Sequence, residues 1–148
     1  MSRCFGRRTA GRSLAVLVSI ATAVAQDALL DRVQWTLKKA RPELVTMLEA
    51  ATRSGDPGHI GLLCLAALHD GVPEDDPKLA AGIAKLAAAK INATYALALR
   101  LLVAEACASF PERATAAAND AEALLRNRKG GGFSYTPDSP DWDLSNTQ

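Results

Sequence analysis

The chain has 148 residues, enough for one domain with a sizeable core, and its 49% hydrophobic but only 5% aromatic content points to a core of alanine and leucine. That composition favours an all-α fold, because Ala and Leu head the helix scale. Four of the 17 basic residues (Arg3, Arg7, Arg8, Arg12) precede Ser13 with no acid among them, and the 13 that remain face 16 acidic groups, a net of −3 that excludes the electrostatic footprint of a nucleic-acid binder.

Residues 1–25 read as a targeting segment. The basic start leads into an apolar run of about a dozen residues, short of the roughly 20 that span a bilayer as a helix. Ala23 and Ala25 supply small residues at the −3 and −1 positions of a cleavage site, which makes Gln26 the expected mature start. The chain is then exported, to the periplasm or outside the cell, without a membrane span. If the signal stays uncleaved it becomes a membrane anchor, and the competing reading is a buried N-terminal helix. Arg7-Arg8 is a twin-arginine pair, but Thr9-Ala10-Gly11 lacks the apolar follow-up of that export route.

Beyond residue 26 the pattern alternates helix and turn. Asp27 is placed to cap a helix carrying Leu30, Val33, Leu37 and Ala40 at helical spacing, and Pro42 is expected to break or restart it. Leu44, Leu48 and Ala51 carry the next stripe, and Ser54 to Gly58 is turn by composition. Residues 60–68 are apolar all round, as suits an interior helix. His69-Asp70-Gly71-Val72-Pro73 stops that helix, with Gly71 suited to a left-handed C-terminal cap. Asp76-Pro77 opens an amphipathic helix with Leu79, Ile83 and Leu86 on one stripe. Residues 94–108 are again apolar nearly all round. A second amphipathic helix starts at Pro111, with Ala114, Ala117, Ala121 and Leu124 expected inward and Arg113, Asp120, Glu122 and Arg126 outward. Buried and peripheral helices thus alternate with a period of about 40 residues, the signature of helical-hairpin repeats.

The ordered set GLLCLAALHDGVPEDDP, ATYALALRLLVAEA, the AEALL helix end and GGGFSYTP…DLSNTQ resembles the prenyltransferase and squalene-oxidase repeats of bacterial exported proteins. The resemblance covers residues 27–148 and is strongest from Gly61 onward. It implies an α/α-toroid, the fold of squalene–hopene cyclases and prenyltransferase β-subunits, in which inner helices form a barrel and outer helices wrap it. Residues 26–148 would be the opening part of such a ring, with Gly130–Gly132 turning into the next repeat and Phe133 and Tyr135 plugging the gap between hairpins.

The chemistry of that fold maps poorly onto this chain. The cyclase stretch Asp-x-Asp-Asp-Thr-Ala, laid on Asp143 to Gln148, matches only Asp143 and Thr147. Ser145 and Asn146 stand where the proton-donating acid and its neighbour would be, and neither is a strong proton donor. Zinc-dependent prenyl transfer needs Asp-x-Cys and a distant His. Glu105-Ala106-Cys107 with His59 or His69 is the nearest approach, but Glu105 is better read as balancing Arg100 or facing solvent. Asp138, Asp141, Asp143 and Ser145 lack the glycine and distal glutamate of a calcium loop. Asn92-Ala93-Thr94 is a glycosylation sequon, relevant only in a eukaryotic secretory route. Trp35 and Tyr95 read as core fillers. Cys4 would leave with the signal, whereas Cys64 and Cys107 read as small buried hydrophobes or, in an exported chain, as a disulfide pair. No catalytic, cofactor-binding or metal residue is therefore assigned. Two functions stay open: a non-catalytic exported scaffold binding protein, glycan or lipid, and a terpenoid cyclase or prenyltransferase-like enzyme whose catalytic residues lie outside this sequence.

Overall fold

The computed structural model describes the backbone of residues 10–140 and the side chains of residues 29–140. The fold is all-α. Five helices follow in order, α1 (Ala10–Ser54), α2 (Pro57–His69), α3 (Pro77–Ala88), α4 (Thr94–Ala106) and α5 (Arg113–Arg126), before a two-stranded hairpin of β1 (Arg128–Lys129) and β2 (Gly132–Phe133). Among the described residues, no helix is long and apolar enough to cross a membrane. The chain divides into two compact units, Met1–Lys39 and Ala40–Gln148, with α1 contributing to both.

In the first unit the apolar stripe at helical spacing lies on the surface. Leu30, Val33 and Leu37 are exposed, and so is Trp35 (60%), whose ring is covered by the Lys39 ammonium at 3.9 Å from its centroid. Trp35 is therefore a surface cation–π partner, not a core filler. Asp27 lies inside α1 and does not start a helix. Pro42 also lies within α1 and does not break it. A proline removes one backbone donor, and the turn after it is held in part by the Thr46 hydroxyl donating to the Pro42 carbonyl at 2.9 Å. The residues of the expected signal are described only as helical backbone from Ala10, and its basic start lies outside the described residues.

In the second unit α3 opens at Asp76-Pro77 as expected, whereas α2 opens at Pro57, inside the stretch read as turn, and α5 at Arg113, two residues after Pro111. Asp56 and Asp76 each cap the helix that a proline then enters. Asp56 Oδ1 accepts from Gly58 N (2.8 Å) and His59 N (3.4 Å), and Asp76 Oδ1 accepts from Lys78 N (2.9 Å) and Leu79 N (3.2 Å). At the C-terminus of α2, Gly71 takes φ +77°. Its N–H reaches Leu68 O and that of Val72 reaches Ala67 O, which closes a Schellman motif. Arg41 ties the same turn to α1, its Nε donating to Asp70 Oδ2 at 2.7 Å.

Helices α2 and α4 pack side by side; α3 lies on α2 and also touches α4, and α5 lies on α4. The α2–α4 pair is parallel, because Gly58 meets Tyr95 near one end and Gly61 meets Leu99 a turn further on. A Cβ on Gly61 would stand 2.9 Å from Leu99 Cβ, so only glycine lets α4 approach this closely. The core spans this unit: Leu48 from α1, Ile60, Cys64 and Ala67 from α2, Leu79, Ile83 and Leu86 from α3, and Val103 from α4. Cys64 and Cys107 are buried free thiols within it, with no bond between them.

Helix α5 is rotated from its expected setting. Ala114 and Ala121 are exposed, whereas Asp120, expected outward, is buried. The cause is Arg100, which projects from α4 into the same space. Its Nε and Nη2 donate to the two oxygens of Asp120 (2.7 and 2.5 Å), and its Nη1 donates to Ala89 O (2.6 Å) and Leu86 O (3.3 Å) at the end of α3. Asp120, not Glu105, is therefore the counter-ion of Arg100. One guanidinium joins three helices and also satisfies carbonyls left open at a helix terminus. Removing one partner of a buried pair strands the other charge, so Asp120→Ala is expected to lower stability by about 3–5 kcal/mol in urea unfolding, with Arg126→Ala on the surface close to neutral.

Candidate functional site

The residues weighed as zinc ligands do not converge. His59 and His69 sit on the exposed surface near opposite ends of α2, Glu105 is exposed on α4, and Cys107 is fully buried just past the end of α4. Among the described residues no three metal-type side chains gather in one place. Asp138 is exposed in the final loop, and Asp141, Asp143, Ser145, Asn146 and Thr147 lie outside the described residues. Tyr95 is 55% exposed, which corrects its reading as a core filler. In the sequon, the Thr94 hydroxyl is buried and donates to Ser134 O at 2.5 Å.

Cys107 has a partner that its neighbours in sequence do not reveal. Glu74, in the turn between α2 and α3, accepts from Ala108 N and Ser109 N, both at 2.9 Å, and from the Cys107 thiol at 3.4 Å. Hydrogen bonding from Ser109, then from the Ala108 and Ser109 amides, lowers the Glu74 carboxyl to about 2 from its ordinary 4.5. Burial, with the nearby Cys107, pushes the Cys64 thiol up to about 12, so it stays protonated and unreactive. Glu74, Cys107, Ala108 and Ser109 thus fasten one interhelical turn to the next.

At the opposite end, Asn127 after α5 donates through Nδ2 to Asn92 O (2.8 Å) and Thr94 Oγ1 (3.0 Å), while its own carbonyl accepts from Ser134 N and Ser134 Oγ (both 2.9 Å). Thr94 N completes the knot on Tyr135 O at 2.9 Å. The glycine-rich turn thus binds the start of α4, with Gly130 at φ +58°. The Asn127 Oδ1 atom is buried with no partner among the described residues.

In the second unit, two concave surfaces stand out among the described residues. A cleft of about 460 Å³ lies between α3 and α5, with Arg100 and Asp120 lining it and Glu112 in the left-handed region (φ +46°) at the start of α5. Its guanidinium is already spent on Asp120 and on two carbonyls, so the cleft offers no free cation to an anionic ligand. The second is a groove of about 520 Å³ between α4 and α5, lined by Leu101, Leu102, Ala114 and Ala117 with Glu105 and Arg113 beside them. Leu102 is 47% exposed there. An apolar groove bordered by one acid and one base suits docking of an amphipathic surface better than reaction chemistry. In comparisons with known proteins, no family model, no curated protein and no solved structure matches this chain.

Glu74 gives a pH signature. Its folded pKa lies below its unfolded one, so between about 4.5 and about 2 the unfolded chain binds more protons. The stabilisation is full above pH 4.5 and is lost as pH falls through that window. Glu49, lowered by Lys78 and Arg53, acts in the same direction. The urea midpoint is expected to fall with acid in wild type and to fall less steeply in Glu74→Gln, whose midpoint at neutral pH is already lower.

Proposed function

We propose that the chain is an exported helical-hairpin repeat protein of the α/α-toroid type, acting as a non-catalytic scaffold that receives an amphipathic protein helix. One observation carries this reading: the open apolar groove between α4 and α5, with Leu102 47% exposed and Glu105 and Arg113 flanking it. Aliphatic surface there gains from being covered, at about 25 cal/mol per Å² of apolar area removed from water, and the two charges orient what covers it. The resemblance to the squalene-oxidase and prenyltransferase repeats supports the toroid type, and the alternation of α2 and α4 with α3 and α5 agrees with its two layers. The basic–apolar segment through Ala25 supports export, with membrane anchoring if it is not removed.

The scaffold reading predicts that the purified chain binds an apolar fluorescent dye at this groove, that Leu102→Asp weakens binding several-fold without loss of helicity, and that squalene and prenyl diphosphates are recovered unchanged. Cyclised or prenyl-transferred product would overturn it in favour of the enzyme. Dye binding insensitive to Leu102→Asp would overturn it as well.

A further inference from the structure

The two hairpins are one unit used twice. Helix α4 begins 37 residues after α2 (Thr94 against Pro57), and α5 begins 36 after α3 (Arg113 against Pro77). Each residue of α2 therefore has a counterpart on α4, and burial differs between counterparts in a directional way. On α4, Ala96, Leu99 and Val103 form one buried face, and Leu99 from that face packs on Gly61 of α2. Their counterparts on α2 are His59, Leu62 and Ala66, and all three are exposed. Leu99 is 5% exposed whereas Leu62 is 45% exposed.

The reverse holds on the other side. Gly61 of α2 is buried where Leu99 of α4 seats against it, Cys64 one turn on is buried with its sulfur toward Gly82 of α3, and Leu65 is half-buried. Their counterparts on α4 are Ala98, Leu101 and Leu102, which are only half-buried or exposed and include two residues lining the open groove. Among the described residues the unit thus carries both halves of an interface that it already makes within itself: an open seat on α4 and α5, and an exposed face on α2.

We infer that a second copy of this chain fills the groove, with its α2 docking on α4 and α5 of the first as α4 docks on α2 within each copy. This rests on the scaffold reading and names its partner. The register of the internal contact, Gly61 on Leu99, carries over to Ala98 of one copy against Leu62 of the next. A methyl at 98 in place of the hydrogen at 61 loosens that seat, as suits a contact between separate chains. Continued to the helix ends, the same register sets Glu105 opposite His69, a carboxylate facing an imidazole N–H donor. The contact is heterologous, so it propagates head to tail instead of closing as a two-fold dimer.

Sedimentation velocity on the full chain at rising concentration tests this directly. Wild type is expected to form species larger than a dimer. Leu62→Asp removes only the α2 face and Leu102→Asp only the groove, so each variant alone is expected to remain monomeric with unchanged helicity. An equimolar mixture is expected to yield a one-to-one heterodimer, because each partner retains the half that the other has lost. A wild type that stays monomeric, variants that still associate, or a mixture that stays monomeric would each overturn the inference. If the wild type is monomeric but dye binding at the groove remains sensitive to Leu102→Asp, self-association fails and the scaffold reading stands. If dye binding is insensitive too, both fail.

Discussion

The close approach of α2 and α4 at Gly61 and Leu99 sets the geometry from which the second unit follows. Two parallel helices can be joined only by a return segment, and α3 is that segment, leaving α2 through the Gly71 cap and re-entering through residues 89–93. With α2 and α4 side by side, α3 settles between and behind them, and Gly82 lets it close down: a Cβ there would stand 3.0 Å from both Cys64 Sγ and Leu48 Cδ1. The unit is then fastened at three levels. Glu74 holds the turns at one end, Arg100 and Asp120 join α3, α4 and α5 in the middle, and the Asn127, Thr94 and Ser134 knot holds the other end. Small residues set the spacing, and polar groups at the helix ends fix the register.

Helix starts and stops were legible because they are written locally. Asp76-Pro77 and Gly71 act through backbone groups within a few residues, and local spacing reveals such devices; Asp56-Pro57, read as turn, is the same device opening α2. The all-α class, the alternation of helices and the stripe of Leu79, Ile83 and Leu86 were legible from composition and period for the same reason. The setting of α5 was not. Its alanines are nearly indifferent to burial, so the helix turns to whichever face satisfies Arg100, and nothing near Asp120 in sequence announces a partner 20 residues earlier. Pro42 misled because a proline interrupts one hydrogen bond, which a long helix can forgo. The stripe of Leu30, Val33 and Leu37 has helical spacing but stays exposed, and spacing alone cannot supply a surface to cover it.

The candidate site was less legible than the fold. The acids, cysteines and histidines that could carry chemistry are, among the described residues, dispersed or employed in fastening turns. The surface that stands out is apolar, and its meaning comes from comparing two repeats within the same chain. Leu62 and Leu99, or Leu65 and Leu102, are the same residue in the same place in each hairpin, yet their exposure differs because the two hairpins have different neighbours. A sequence shows such positions as equivalent; the folded unit shows which of them is covered.

The claim that close helix approach organises this unit is tested most directly by the sign of one stability change. An alanine replacing glycine within a helix, where nothing opposes it, raises stability by roughly 1 kcal/mol. At Gly61 the added methyl meets Leu99 Cβ, an atom too near its own backbone to swing aside, so α4 must move. Urea unfolding of Gly61→Ala should therefore show a net loss of about 1–3 kcal/mol, as overpacking does in a filled core. A variant as stable as wild type or more stable would mean that α2 and α4 do not approach as described, and the account of the unit built on that contact would be wrong.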